Sequence, residues 1–171
     1  ELDRLYPSQC HKLDRFRAEY EKIRHLPGWF AEFGCYNGGG ARQLAQLDPR
    51  RWVYAFDTFE GMPAEDYHPG EDDANPPGKW TPKASPSELF RGIDNIVPIR
   101  GRFADTFADG VFVGLVLAHL DCDYYESYRQ VLEFLETHMV RGGVAIVDDY
   151  GPQHNCHGCV RAVNEWVAKM G

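Results

Sequence analysis

Two short acidic runs carry the clearest chemistry in this chain: Asp121-Cys122-Asp123 and Asp148-Asp149. Each follows an apolar, strand-like run, residues 113–120 before the first and 143–147 before the second. Carboxylates set just past the carboxyl ends of neighbouring parallel strands lie on the edge where open α/β sheets bind ligands. Three or four of them meeting there repel one another unless a cation or a bound proton intervenes. The pattern predicts a metal-assisted site. A lone Asp in such a place more commonly caps a helix or forms a turn. Asp123 is read that way, as the cap of the helix containing Tyr128, and Glu126 as compensation for that helix's dipole.

A second constellation is Glu32-Phe-Gly34-Cys-Tyr36-Asn-Gly38-Gly39-Gly40, which follows the apolar run that starts at Trp29. Glycines here allow positive φ and close backbone approach to a ligand, while the next helix offers free N–H groups. The spacing is not the G-x-G-x-x-G of dinucleotide folds, so a plain tight turn stays open as a reading. Asp57 closes the next apolar run, at the place where an acid commonly binds ribose hydroxyls. Together the turn and the acid indicate an adenosine-bearing cofactor.

These residues need strands that deliver them to one edge. Apolar residues Leu13, Phe16, Tyr20 and Ile23 recur at helical spacing, predicting an amphipathic helix over about 9–26 that Pro27-Gly28 ends. Strands are expected at 29–34, 52–57, 95–99, within 110–120 and at 144–147; helices at 41–47, 87–91, 128–140 and 160–169. Residues 58–86 are rich in Gly, Pro, Asp and Asn and read as a long ordered loop or lid. Alternating strands and helices predict an α/β, doubly wound, mostly parallel sheet in a single domain over 1–171, with 1–28 as an N-terminal helical segment.

Bulk properties narrow the partners. The 171 residues carry 18 basic and 26 acidic side chains, a formal charge of −8, and are 43% hydrophobic. Arg91, Arg100 and Arg102 make a weak patch among so many acids, so no nucleic acid is expected. No apolar run approaches the ~20 residues of a membrane helix, and the charged start Glu1–Arg4 lacks the apolar core of a signal peptide. Five cysteines without a framework spacing suit a reducing cytoplasm.

The runs Phe30-Ala-Glu-Phe-Gly-Cys-Tyr-Asn-Gly-Gly39, Ala55-Phe-Asp-Thr-Phe-Glu-Gly-Met-Pro63, Gly101-Arg-Phe-Ala-Asp-Thr-Phe107, Leu120-Asp-Cys-Asp-Tyr-Tyr-Glu-Ser127 and Gly142-Gly-Val-Ala-Ile-Val-Asp-Asp-Tyr150 resemble, in order, the motifs of the macrocin O-methyltransferase (TylF-like) family. Gly158-Cys-Val-Arg-Ala-Val-Asn-Glu-Trp166 resembles the family's helix after the double Asp. The resemblance implies a Rossmann-like class I S-adenosylmethionine-dependent enzyme that uses Mg²⁺ to methylate a hydroxyl, typically on a sugar of a natural product, so the expected acceptor is a glycosylated natural product or a glycan. It implies Glu32, Gly34, Gly38 and Gly39, with Tyr36 in the same turn, at the methionine and sulfonium end of the cofactor. Asp57 would hold the ribose, and Phe103, Ala104 and Asp105 would lie near the adenine. Asp121, Asp148 and Asp149 match the metal ligands, with Asp121 also the general base. The family usually has a longer N-terminal lid region and two further strands, so the sheet is expected to lack its last two strands. Homo-oligomer contacts or a partner segment would then cover the edge.

Two rival readings stand beside this one. Methylation of a catechol-like phenol would call for a lysine near the metal, and none follows Asp121 closely; Lys79 and Lys83 sit in the loop. A cofactor-binding module without turnover is the other. His154, Cys156, His157 and Cys159 lack the paired spacing of structural zinc, and His154, His157 or His68 suit an acceptor-facing role better. His119 reads as a satisfied core histidine. Trp29, Trp52 and Trp166 read as packing, while Trp80 offers a face for stacking on a sugar.

Overall fold

The computed structural model describes residues 7–109, 114–151 and 156–170. The chain runs α1 (Pro7–Ile23), β1 (Trp29–Phe33), α2 (Gly39–Leu47), β2 (Val53–Asp57), α3 (Pro86–Leu89), β3 (Ile96–Arg100), α4 (Phe103–Asp109), β4 (Leu115–Leu120), α5 (Tyr125–His138), β5 (Met139–Val147) and α6 (His157–Met170). All neighbouring strands pair in parallel, in the order β3-β2-β1-β4-β5. Among the described residues the sheet has these five strands. No helix there is long and apolar enough to cross a membrane.

Both faces of the sheet are covered. Phe16, Tyr20 and Ile23 of α1 join Leu44 of α2, Phe30 and Val53 in one core layer. Phe33, Phe56 and Leu120 meet Phe103, Tyr128, Val131 and Phe134 in the other. Central parallel strands buried on both sides read as continuous apolar runs, and β4 is buried at every position. Helix α4 was not foreseen as an element. Its cause is an aromatic pair one turn apart: Phe103 and Phe107 stack on each other and pack edge-on against Phe33. Helix α5 begins three residues earlier than the periodicity suggested, and β5 begins at Met139.

Strand order reverses between β1 and β4, which opens a crevice at their carboxyl ends. Register decides what enters it. Phe33 stands opposite both Phe56 and Leu120, and Leu120 opposite Val147. The residues that follow, Gly34, Asp57, Asp121 and Asp148, therefore leave the sheet at one level.

The long connection after β2 is tied down through its own acids. Asp72 accepts hydrogen bonds from the backbone N–H of His68 and of Tyr125, and Asp66 pairs with Arg102.

Candidate active site

A cavity of about 770 Å³ occupies the crevice, bounded by the turn after β1, Asp57, Phe103 and the acids after β4. The turn is shaped by close approach. A Cβ on Gly34 (φ 88°) would stand 1.9 Å from the Asp121 carbonyl oxygen, and one on Gly40 would stand 1.8 Å from Glu32 Oε1. Gly39 and Gly40 line the cavity. Gly38, with φ 76°, instead sits beneath it against Phe90.

Asp57 fastens this turn. Its Oδ2 accepts the N–H groups of Cys35 (2.6 Å) and Tyr36 (2.9 Å), and its Oδ1 accepts that of Phe59 (2.6 Å). Oδ1 also faces the Thr58 hydroxyl at 3.4 Å, but that hydroxyl's one hydrogen is donated at 2.7 Å to the Gly61 carbonyl. A carboxylate oxygen accepts about two hydrogen bonds, so Oδ2 is filled while the long Thr58 contact on Oδ1 can yield to a ligand hydroxyl. Burial raises the Asp57 pKa despite these donors. Behind the turn, Glu32 is 2% exposed and its Oε2 has no hydrogen-bond partner. A buried carboxylate oxygen left unpaired at a cavity wall is costly. It calls for a cation or a donor from a ligand.

Of the adenine-side residues, Phe103 lines the cavity with Gly101 and Arg102. Ala104 and Asp105 lie on the exposed side of α4.

The acids fall into two groups rather than one triad. Asp121 and Asp148 converge with His119, and Asp149 converges with Asp123 and Cys156; within each group the ligand atoms lie within 4.8 Å of one another. The first group is compensated. Lys12, on α1, places Nζ 2.7 Å from Asp121 Oδ2 and 3.1 Å from Asp148 Oδ2. His119 is wholly buried between Glu32 (3.1 Å) and Asp148 (3.7 Å). Burial opposes protonation of its ring, but these two carboxylates outweigh it and push the pKa up to about 9. Likewise burial works on Asp148 in one direction, while His119 and Lys12 overcome it and hold the acid well below the usual carboxylate range. His119 is thus part of the acid network, not only a core residue.

Among the described residues the second group has no ion pair, and the pull of Lys79 on Asp123 is weaker than burial and the neighbouring carboxylates. Burial first, then the neighbouring carboxylates, raise the pKa values of Asp123 and Asp149 well above the ordinary range. Asp149 Oδ2 accepts the Tyr128 hydroxyl (2.8 Å) and the Asp123 N–H (3.2 Å). Asp123 is not the helix cap expected from its position. The cap is Tyr124, with no side-chain bond, while Asp123 adopts φ 59° and turns its carboxylate to the cavity wall. Glu126 pairs with Arg129 in the first turn of α5, as its position suggested.

Lys12 also answers the search for a lysine near the acids. The fold supplies one from 109 positions earlier. Burial disfavours its charge, yet Asp121 and Asp148 more than compensate and hold the ammonium protonated. In this arrangement it serves as a counter-charge to the two acids.

Asn75, which sequence reasoning passed over, joins the loop to the acids. Its buried amide donates to Asp123 Oδ1 (2.5 Å) and accepts from Lys79 Nζ (2.7 Å) and Trp80 Nε1 (3.0 Å). Trp80, 44% exposed, lines the cavity edge-on to Tyr36, as a stacking face requires. Tyr36, Trp80 and Asp123 all have positive φ and all line the cavity. Such strain clusters at functional sites.

The remaining candidates lie elsewhere. His68 is exposed and packs on Tyr125, and His157 is exposed at the start of α6. His154 falls outside the described residues. Burial pushes the thiols of Cys156 and Cys159 up, and of the two only Cys156 stands with the second acid group among the described residues.

A doubly wound sheet with a Gly-rich turn after its first strand, facing a strand-end acid cluster, defines a class I, Rossmann-like methyltransferase. The chain belongs to the macrocin-O-methyltransferase (TylF) family, whose sequence profile matches residues 10–170. It is 29% identical over 193 residues to the 8-demethyl-8-(2,3-dimethoxy-alpha-L-rhamnosyl)-tetracenomycin-C 4'-O-methyltransferase of Streptomyces olivaceus, covering 99% of this chain and 72% of that protein. The demethyldecarbamoylnovobiocin O-methyltransferase of Streptomyces niveus is 29% identical over 190 residues, with 98% and 71% covered. Among solved structures, the O-methyltransferase NovP superposes with a TM-score of 0.77 at 27% identity, over 93% of this chain and 72% of that one. The calicheamicin methyltransferase CalS11 shares the fold with a TM-score of 0.78 at 24% identity, over 94% and 72%. The chain is therefore an O-methyltransferase.

Proposed function

We propose that this enzyme moves the methyl group of S-adenosylmethionine to a sugar hydroxyl of a glycosylated natural product, with Mg²⁺ at the acid cluster. One observation carries the reading: a single cavity joins the glycine turn and the unpaired Glu32 oxygen to the acids after β4. The donor's α-ammonium suits Glu32 Oε2, its ribose suits Asp57 Oδ1, and its adenine suits the face of Phe103. Gly34, Gly39 and Gly40 let the backbone approach it closely. A relative named as the 4'-O-methyltransferase of a rhamnosyl-tetracenomycin supports the acceptor class.

Asp121 and Asp148, which converge, and Asp149 from the adjoining group offer only carboxylate oxygens, a donor chemistry that fits a hard divalent ion. Such an ion lowers the pKa of a hydroxyl and fixes its direction. Methyl transfer is an in-line displacement, so the chain's remaining work is orientation and proton removal. Asp121, on the cavity wall, is the proposed proton acceptor, and Trp80 the proposed surface for the sugar ring. The buried thiols of Cys35, Cys122 and Cys159, in no disulfide, support a reducing, cytoplasmic setting.

Calorimetry with S-adenosylmethionine and turnover on a panel of rhamnosylated aglycones test the proposal. Binding of the donor is expected, with methylation that stops on adding EDTA and returns with excess magnesium. Absence of donor binding would end the cofactor assignment, and EDTA-resistant turnover would end the metal assignment.

A further inference from the structure

The acids read above as a divalent-ion site already hold a cation. Lys12 Nζ bridges Asp121 Oδ2 and Asp148 Oδ2, oxygens delivered by two different strand ends, at 2.7 and 3.1 Å. A divalent ion bound by oxygens at about 2.0–2.6 Å would have to share these carboxylates. Two cations on the same pair of acids stand within a few ångströms of each other, where repulsion is strong in a partly buried site. We propose that Lys12 is a resident counter-cation which the divalent ion displaces, so that α1 sets the metal affinity of the acid cluster. The inference rests on the reading of Asp121, Asp148 and Asp149 as that ion's ligands.

The packing of α1 shows why Lys12 stands there and how it leaves. Phe16, one turn on, is fully buried and meets the His119 ring edge-on at 4.8 Å. Tyr20 and Ile23 are buried further along. These anchors fix the helix over the acids, while the lysine's four-carbon stem leaves its ammonium free to swing. Arg15 Nη1, 3.6 Å from Asp148 Oδ1 and half exposed, remains on the same helix to face that acid afterwards.

Charge balance favours the exchange. Lys12 and His119 compensate Asp121, Asp148 and Glu32, while Asp123 and Asp149 face the same wall with no ion pair among the described residues, leaving an excess of carboxylates there. Replacing one positive charge by two relieves that excess.

The test titrates magnesium chloride into the full chain at fixed ionic strength, comparing wild type with Lys12→Met, Lys12→Gln and the control Lys22→Met. Among the described residues Lys22 pairs with Glu19, away from the acid cluster. Magnesium is expected to bind Lys12→Met and Lys12→Gln about tenfold more tightly than wild type, with Lys22→Met unchanged. In parallel, an amine-reactive ester read by mass spectrometry should label Lys12 slowly in the metal-free protein and several-fold faster at saturating magnesium, with Lys22 constant. If the Lys12 variants bind magnesium no more tightly than wild type, or Lys12 stays equally protected, displacement is wrong while the metal site stands. If no variant binds magnesium, the metal reading itself fails and this inference with it. Melting curves confirm that each variant is folded, and the second Lys12 substitution guards against an effect peculiar to methionine.

Discussion

Buried aspartates at the two ends of the sheet behave in opposite ways. Asp48, between α2 and β2 at the amino end, is 5% exposed and fully satisfied. It accepts the Tyr20 hydroxyl (2.6 Å), both Arg50 Nε (2.8 Å) and Nη2 (2.9 Å), and the Arg50 N–H (3.1 Å), with Arg51 Nε at 3.4 Å. The Arg50 hydrogen bonds outweigh burial and hold it far below the usual range. Asp149, at the carboxyl end, is equally buried, yet its pKa is raised. The difference lies in the partners and not in the depth. Asp48 draws its arginines from two and three residues away, so the corner assembles locally and completely. Asp123 and Asp149 meet mainly each other and Asp121. One end of the sheet stores stability; the other holds unspent charge.

The comparison predicts that loss of an acid at the carboxyl end costs function, while loss at the amino end costs folding. The largest effect should come from Asp57→Ala, which removes three backbone hydrogen bonds from the turn and the oxygen proposed for the ribose. We expect S-adenosylmethionine to bind about 100-fold more weakly by calorimetry, a loss beyond what the accompanying drop in melting temperature from the orphaned N–H groups explains, since the variant stays folded at the assay temperature. Unaltered affinity would mean that Asp57 organises nothing the donor uses.

How far the sequence foretold this contrast depends on where partners come from. The strand-end acids were legible because apolar runs announce buried parallel strands, and acids directly after them must emerge at the crevice. The glycine turn was legible for a similar reason, although Gly38 proved to pack on Phe90 and not to line the cavity. Lys12 was invisible: its partners lie 109 and 136 positions away, and on α1 it reads as one more exposed charge of an amphipathic helix. Asn75 was hidden in a stretch whose Pro and Gly content says only loop. Asp123 was misread because Asp before a helix is so often a cap; its left-handed backbone, which no local signal marks, redirects the side chain.

Asp48→Ala is the converse of Asp57→Ala. Breaking this largely buried cluster should cost about 2 kcal/mol of unfolding free energy at pH 7, the exposure of Arg50 moderating the loss, and leave donor affinity unchanged. The pH dependence follows from the depressed native pKa. Stability from Asp48 is fully present above its unfolded value near 3.9 and fades as the pH falls below about 4 toward the lower native value. Urea titrations of wild type and variant should therefore differ by a constant amount from pH 5 to 7 and converge in stronger acid. A gap that persists undiminished to about pH 2 would show that the side chain stabilises by something other than its charge.

The smallest effect belongs to the edge of the functional end, where Trp80 meets both solvent and cavity. Its indole N–H is tied to Asn75, whose amide also holds Asp123, so the ring is fixed relative to the acids although its face is open. Trp80→Ala, which removes this stacking face, should raise KM for a sugar acceptor about three- to tenfold and leave donor affinity untouched. Trp80→Phe keeps the face and loses the tether to Asn75. If the ring acts only as a surface, Trp80→Phe should recover the KM of wild type. If its fixed orientation matters, only part of the loss is recovered and kcat falls as well, because the same amide positions Asp123. An acceptor KM that ignores both substitutions would place the sugar on another wall of the cavity.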